Sequence, residues 1–220
     1  MINIAIDGPS GAGKSTIARK VAEKLGFVYV DTGAMYRAIG VHVMRHNLPT
    51  DDARAVISVL YDAHIALAYQ AGEQHILLNG EDVSKAIRLP EASMAGSNVS
   101  AIPEVRAYLF DLQKNIANTT NCIMDGRDIG TVVLPDAQVK IFLTATAEER
   151  TRRRCLELEQ KGTPVDYDTL LTEIIQRDYN DSHRAAAPLK KADDATEIDS
   201  TGLSIEEITD IIVKMAEAVL

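Results

Sequence analysis

The chain has 220 residues, 46% of them hydrophobic, with no compositionally biased tract and no internal repeat, which excludes disordered, collagen-like and solenoid classes. This length is somewhat above that of one average domain, so a single core with an insertion or a small lobe is expected. A formal net charge of -9 argues against a general nucleic-acid binder, which carries a broad basic footprint, and requires any anion site to be a local cluster of arginines.

The first element reads as a strand. "INIAID" is apolar without alternation and follows Met1 directly, with neither the basic segment nor the small-residue cleavage site of a secretory leader. Residues 8–15, "GPSGAGKS", then satisfy G-x-x-x-x-G-K-[ST] between that strand and a helix. Glycines in such a loop let several N–H groups point at phosphate oxygens, and the helix start adds its partial positive charge. Gly8, Pro9, Ser10, Gly11, Ala12 and Gly13 form the cradle, and Lys14 reaches the β- and γ-phosphates of a nucleoside triphosphate. Ser15 offers a hydroxyl to Mg²⁺, and Thr16 is a second candidate for the same metal.

Ile17, Val21 and Leu25 then recur every four residues, and Gly26 marks the helix end. The strand "FVYVD" leads into a helical stretch carrying Arg37, in which Met35 and Met44 read as core filler. His42 and His46 have the spacing of a helical metal pair but lack a third ligand, and read as helix-surface histidines. From about residue 62 to 82, "HIALAYQ" and "HILLNGED" pair around turns at Ala71-Gly72 and Asn79-Gly80, predicting a small antiparallel meander. Residues 62–100 are therefore expected to form a lobe inserted in a parallel core, with no linker that would make it a separate tethered domain.

Pro103 opens a helix with Val105, Leu109, Leu112 and Ile116 on one side. The strands "CIMD", "VKIFLTA" and "ATEIDS" follow, and capping boxes at Thr146 with Glu149 and at Ser204 with Glu207 start two further helices. Strand and helix alternate, predicting an α/β fold with a five-stranded parallel sheet covered by helices on both faces. No apolar run approaches the roughly 20 residues needed to cross a membrane. Two cysteines, Cys122 and Cys155, give no disulfide framework, so a reducing, cytoplasmic address is expected.

The phosphate loop does not name the acceptor. The base-reading "NKxD" of GTPases and a transporter signature loop are both missing, whereas arginines sit near predicted strand ends and helix faces. Arg37 follows the second strand and Arg127 the third, and ligands of open α/β sheets gather at the carboxyl ends of strands. Arg177, Asp181 and Arg184, at i, i+4 and i+7, share one helix face if the helix persists that far. Arg150, Arg153 and Arg154 can point together toward a transferred phosphate, beside "LEQKGTPVDY", a polar stretch suited to a lid. An acceptor hydroxyl benefits from a catalytic base, but a phosphate monoester is mostly deprotonated at neutral pH and needs cations that align two anions. The arginine set fits the second case. A kinase of a small metabolite hydroxyl, with Asp128 as base, and a slow ATP-binding switch are the alternatives.

"IDGPSGAGKST", "DTGAMYRAIG", "MDGRDIGTVVLPDAQVKIFL", "RDYNDSHRAAAPL" and "IDSTGLSIEEI" together, and in this order, resemble the bacterial cytidylate kinases over essentially the whole chain. The resemblance implies one P-loop nucleoside-triphosphate-hydrolase-like three-layer domain over residues 1–220, with residues 62–100 as the nucleotide-monophosphate-binding lobe and a lid at about 151–168. It implies transfer of the ATP γ-phosphoryl group to CMP or dCMP with Mg²⁺, by an expected monomer. Lys14, Arg37, Arg127, Arg153 and Arg154 are implied to be catalytic, with Arg37 and Arg127 on the acceptor phosphate. Arg106, Asp128 and Arg184 are implied to read cytosine, and Ser97, Arg177 and Asp181 the pentose. Asp125 either belongs to the magnesium shell or caps the turn after its strand.

Overall fold

The non-alternating apolar runs become strands of one sheet in the computed structural model, which describes residues 1–70, 73–160, 162–163 and 165–220. The strands are β1 (Asn3–Asp7), β2 (Val28–Asp31), β3 (Ile65–Gln70), β4 (Glu73–Leu78), β5 (Glu81–Asp82), β6 (Cys122–Gly126), β7 (Val139–Thr144) and β8 (Thr196–Asp199). The helices are α1 (Lys14–Leu25), α2 (Thr32–Arg45), α3 (Ala53–Leu60), α4 (Pro90–Ser100), α5 (Pro103–Thr119), α6 (Ala147–Gln160), α7 (Tyr167–His183) and α8 (Ile205–Glu217).

The larger sheet has the order β2-β6-β1-β7-β8. Its central strand β1 runs parallel to β6, with Asn3 opposite Cys122 and Asp7 opposite Gly126, and parallel to β7, with Ile4 opposite Val139. Strand β8 continues the parallel pairing, with Ile141 opposite Thr196. Ile4, Ala5 and Ile6 are wholly buried, which is why the run shows no polar alternation. Chain order reverses on either side of β1, so the carboxyl ends of β1 and β6 flank the kind of crevice in which α/β sheets bind ligands.

The chain divides into two compact units, one made of Met1–Tyr29 with Ala117–Leu220 and the other of Val30–Ile116. In the first, Ile17, Ala18 and Val21 of α1 join Ile208, Ile212 and Ala216 of α8 in one apolar cluster with the sheet residues Ile6, Ile123 and Leu143. Helix α1 ends at Gly26, whose φ of 67° lets its N–H meet the carbonyls of Ala22 and Glu23. Ser204 and Glu207 form the reciprocal box at the start of α8. At α6, Thr146 Oγ1 accepts from the Glu149 amide, while the Glu149 carboxylate pairs with Arg152 and Arg153. Cys122 is wholly buried, and burial pushes its thiol up to about 12, as befits a core residue. Helix α7 stops at His183, so Arg184 is its extended C-cap residue and not a member of the helical face. The segment between α6 and α7 includes Lys161 and Pro164, which lie outside the described residues.

The second unit contains the three-stranded antiparallel sheet β3-β4-β5. Its β4–β5 turn is Asn79-Gly80 with φ of 52° and 83°, the double left-handed conformation that this dipeptide favours. The expected Ala71-Gly72 turn lies outside the described residues. Helices α2 and α4 approach so closely that a Cβ on Gly40 would lie 2.7 Å from Ala95 Cβ. Pro103 starts α5, and Val105 and Leu109 are wholly buried. One expectation is corrected here. His42 is buried, not on the helix surface, because α3 covers that side of α2 and the Val59 carbonyl accepts a hydrogen bond from His42 Nε2 at 3.0 Å. Burial holds its pKa below the ordinary histidine value.

Candidate active site

Strand β1 delivers the phosphate loop. Gly8 follows Asp7 with φ of 147°, and a Cβ there would lie 1.9 Å from the Leu143 carbonyl oxygen of β7, so no side chain fits. The loop carbonyls are held by protein donors. Lys14 Nζ donates to Gly8 and Pro9 at 2.8 Å each, Arg150 Nη1 to Ser10 at 3.0 Å, Ser200 Oγ to Ala12 at 3.3 Å, and the Ile17 amide to Gly13 at 3.1 Å. With its carbonyls engaged, the loop has amides left to meet an anion, next to the start of α1.

Lys14 is buried, and burial, with Arg127 and Arg177 nearby, pushes its pKa down to about 7 against the opposing pull of Asp125 and Asp7. Ser15 Oγ donates to Asp125 Oδ2 at 2.7 Å, and the Tyr29 hydroxyl to Asp125 Oδ1 at 3.0 Å. Asp125 thus faces the hydroxyl that the sequence nominated for Mg²⁺. Among the described residues no group of three His, Cys, Asp or Glu side chains is placed to hold a metal alone. Magnesium asks for less, since it is commonly held by one or two protein oxygens together with substrate phosphates. Ser15 and Asp125 are a hard-oxygen pair that fits it.

Beyond β6 the chain passes through Arg127 and Asp128 into a π turn, Ile129–Val133. The Asp7 carboxylate accepts from the Ile129 amide at 2.8 Å and the Gly130 amide at 2.7 Å, which fixes the turn that carries Asp128. Burial still pushes Asp7 up to about 6, with Asp128 adding to the rise. Arg127 Nε donates to Asp181 Oδ2 at 2.7 Å, and Arg184 Nη2 to Asp128 Oδ1 at 3.4 Å. Burial acts to raise the Asp181 carboxyl, but Arg127, Arg177 and Arg184 outweigh it and hold the group below the ordinary carboxylate range. Lys14, Arg127, Asp128, Arg177, Asp181 and Arg184 thus form one electrostatic neighbourhood.

Arg150, Arg153 and Arg154 of α6 have different partners. Arg150 is buried against Ser10, Ala145 and Asp178. Arg153 donates to Ser200 Oγ at 3.0 Å and Ser200 O at 2.7 Å, and Arg154 to Glu157 at 2.6 Å. In the second unit, Arg37 Nη2 donates to Asp31 Oδ2 at 2.9 Å, and Asp31 also caps α2 by accepting from the Ala34 amide. Gly96 on α4 lets Arg37 lie close, since a Cβ there would be 2.7 Å from Arg37 Cγ. The Arg106 guanidinium lies over the Tyr36 ring, 5.5 Å from its centroid, and donates to the Ser100 carbonyl at 3.3 Å. Ser97, on α4, accepts from Ser100 Oγ through its own carbonyl.

The family model described as Cytidylate kinase matches residues 4–218. The chain belongs to this family. A cytidylate kinase of Caldicellulosiruptor saccharolyticus is 55% identical over 97% of this chain and 95% of its own length. One of Geobacillus sp. is 49% identical, over 97% of this chain and 96% of its own. Among solved structures, an uncharacterized protein from Eubacterium ventriosum superposes with a TM-score of 0.51 at 15% identity, covering 99% of each chain, and shares the fold.

Asp7, Tyr29, Asp178 and Ser200 are members of this site that were not nominated from the sequence. A signal for Asp7 was present, since β1 and β6 both end in Asp-Gly and stand side by side, with Ile6 opposite Asp125. Lys14 gives the family member a testable proton linkage. Its lowered pKa leaves much of it neutral above about pH 7, and bound polyphosphate restores the charge. Nucleotide binding is therefore expected to take up a proton between pH 7 and the ordinary lysine range, with affinity weakening as pH rises through that window. Calorimetry in buffers of different ionisation enthalpy reads the uptake directly, and a heat independent of buffer at pH 8 would contradict it.

Proposed function

We propose that this chain transfers the γ-phosphoryl group of ATP to CMP or dCMP, giving ADP and CDP or dCDP. The observation that carries the reading is the continuity of the phosphate loop with an acceptor-type network: Lys14 shares its surroundings with Arg127 and Arg177, and these with Asp181. Residues 8–13 bind the donor phosphates through their amides, and Lys14 swings from the Gly8 and Pro9 carbonyls to the transferring group. Ser15 and Asp125 hold Mg²⁺, with Thr16 as the second hydroxyl. When bound, the metal screens the charge of the donor phosphates.

Arg127 binds the acceptor phosphate, which attacks as an anion and needs no catalytic base. Arg177 and Asp181 hold the pentose. Asp128 accepts from the cytosine amine, and Arg184 donates to an acceptor position of the base. Arg153 and Arg154 exchange their present partners for the transferred group as a lid at about 151–168 closes, within one kinase domain whose residues 62–100 carry the acceptor lobe. We also assign the chain to the cytoplasm as a monomer; among the described residues no helix is long and apolar enough to cross a membrane.

An assay coupling ADP release to each nucleoside monophosphate tests the reading. CMP and dCMP are expected to be the best acceptors, UMP poorer, and AMP poorest. Turnover of AMP or GMP without CMP would reject the cytidine assignment, and an unphosphorylated best acceptor would move the protein to the metabolite kinases.

A further inference from the structure

We infer that Arg150 is a positioning residue of the ATP cradle, holding the phosphate loop from its carbonyl side and tying it to α7 through Asp178. Four hydrogen bonds support this. Nε donates to Ala145 O at 3.0 Å, Nη1 to Ser10 O at 3.0 Å and to Asp178 Oδ1 at 3.1 Å, and Nη2 to Asp178 Oδ2 at 2.5 Å. They account for four of the five N–H donors that a guanidinium has. The side chain is only 5% exposed, and a Cβ on Gly11 would lie 3.2 Å from Arg150 Cβ, so the loop rests directly on this residue.

That geometry separates Arg150 from its neighbours on α6. To meet a phosphate it would have to give up a bidentate, charge-assisted pair with Asp178, whose own side chain is 26% exposed. Arg154, which is 45% exposed and pairs with the equally exposed Glu157, faces no such obstacle. At Ser10, Arg150 turns a carbonyl away from the cradle, where its lone pairs would repel phosphate. At Asp178 it fixes the helix turn that leads to Asp181. One side chain thereby joins the donor loop to the helix of the acceptor network.

The inference rests on the loop binding ATP and is indifferent to the acceptor. Calorimetric affinities for ADP and for a non-hydrolysable ATP analogue test it on wild type, Arg150→Met, Arg150→Lys, Asp178→Asn and the double variant Arg150→Met/Asp178→Asn. Arg150→Met is expected to weaken both nucleotides by the same factor, about tenfold, because the loop serves phosphates that both possess. Arg150→Lys recovers part of the loss, and the double variant loses no more than Arg150→Met alone. A loss confined to the triphosphate would make Arg150 a ligand of the transferred group. Unchanged affinities with a lowered Tm would make it merely structural, and additive losses would break the link to Asp178; each overturns the inference. Should Arg150→Met fail to fold, Asp178→Asn alone must weaken both nucleotides several-fold, and no change there overturns it equally. Wild type that binds ADP but does not turn over CMP would sink the proposed acceptor and leave this test in force.

Discussion

Replacing Lys14 with methionine is expected to lower kcat/KM for CMP by about a thousandfold, or about 4 kcal/mol of transition-state stabilisation, in a protein that remains folded. The catalytic loss follows from position. The ammonium group sits against two carbonyls of the phosphate loop, and it is the one charged side chain among residues 8–15. The fold tolerates the change because the buried cation is opposed by desolvation and by Arg127 and Arg177. Removing it relieves that opposition, which offsets the two carbonyls that lose a donor, so stability is expected to move by no more than about 1 kcal/mol. Methionine matches the lysine side chain out to Cε and removes only the ammonium group, which keeps any cavity small. Steady-state kinetics with thermal unfolding decide the matter: turnover within tenfold of wild type would remove Lys14 from the transition state, and a collapse in Tm would mean that the loss reports the fold.

What the sequence disclosed and what it concealed divide along one physical line. Features set by local backbone geometry were legible. The phosphate loop had to be glycine-rich because Gly8 meets a β7 carbonyl, and the Asn79-Gly80 turn announced itself through two positive φ angles. The inner strands β1 and β6 were legible because a strand covered on both faces carries few polar positions, whereas in the edge strand β8 only Ile198 is buried. Features set by contacts across the fold were not. Arg150 and Asp178 find one another from different helices, 28 residues apart, with no spacing to advertise the pair. The helical spacing instead grouped Arg150 with Arg153 and Arg154, whose partners turn out to be different. His42 looked solvent-facing because nothing in its own helix reveals that α3 will lie over it.

The substrate network shows the same division within one motif. "DGRD" placed Arg127 and Asp128 correctly at a strand end, but their partners Asp181 and Arg184 lie 54 and 56 residues further on, with no spacing to connect them. The i, i+4, i+7 pattern anticipated a continuous helical face, whereas α7 ends at His183. Arg184 reaches Asp128 from the extended cap, held there by a bond to the Ala187 carbonyl at 2.7 Å, and this loop anchoring has no periodicity to detect.

That anchoring shapes the second large effect. Asp128→Asn is expected to lower kcat/KM for CMP by about a hundredfold, close to 2.7 kcal/mol, while changing the KM for ATP by less than about threefold. Asp128 is buried, and its turn is pinned by Asp7 through the Ile129 and Gly130 amides, so in the proposed role its carboxylate would present a fixed acceptor to the base. An amine on cytosine satisfies that acceptor, whereas the carbonyl of uracil would confront it with a second lone pair. Asparagine keeps the shape and supplies one donor and one acceptor, so it can meet either base. The ratio of CMP to UMP turnover is therefore expected to fall further than CMP turnover falls alone. The substitution also weakens the contact with Arg184, so a general loosening of the network is the competing explanation. Kinetics with CMP, UMP and ATP separate the two: equal losses for donor and acceptor, with the CMP to UMP ratio unchanged, would assign Asp128 to the scaffold and take base recognition away from it.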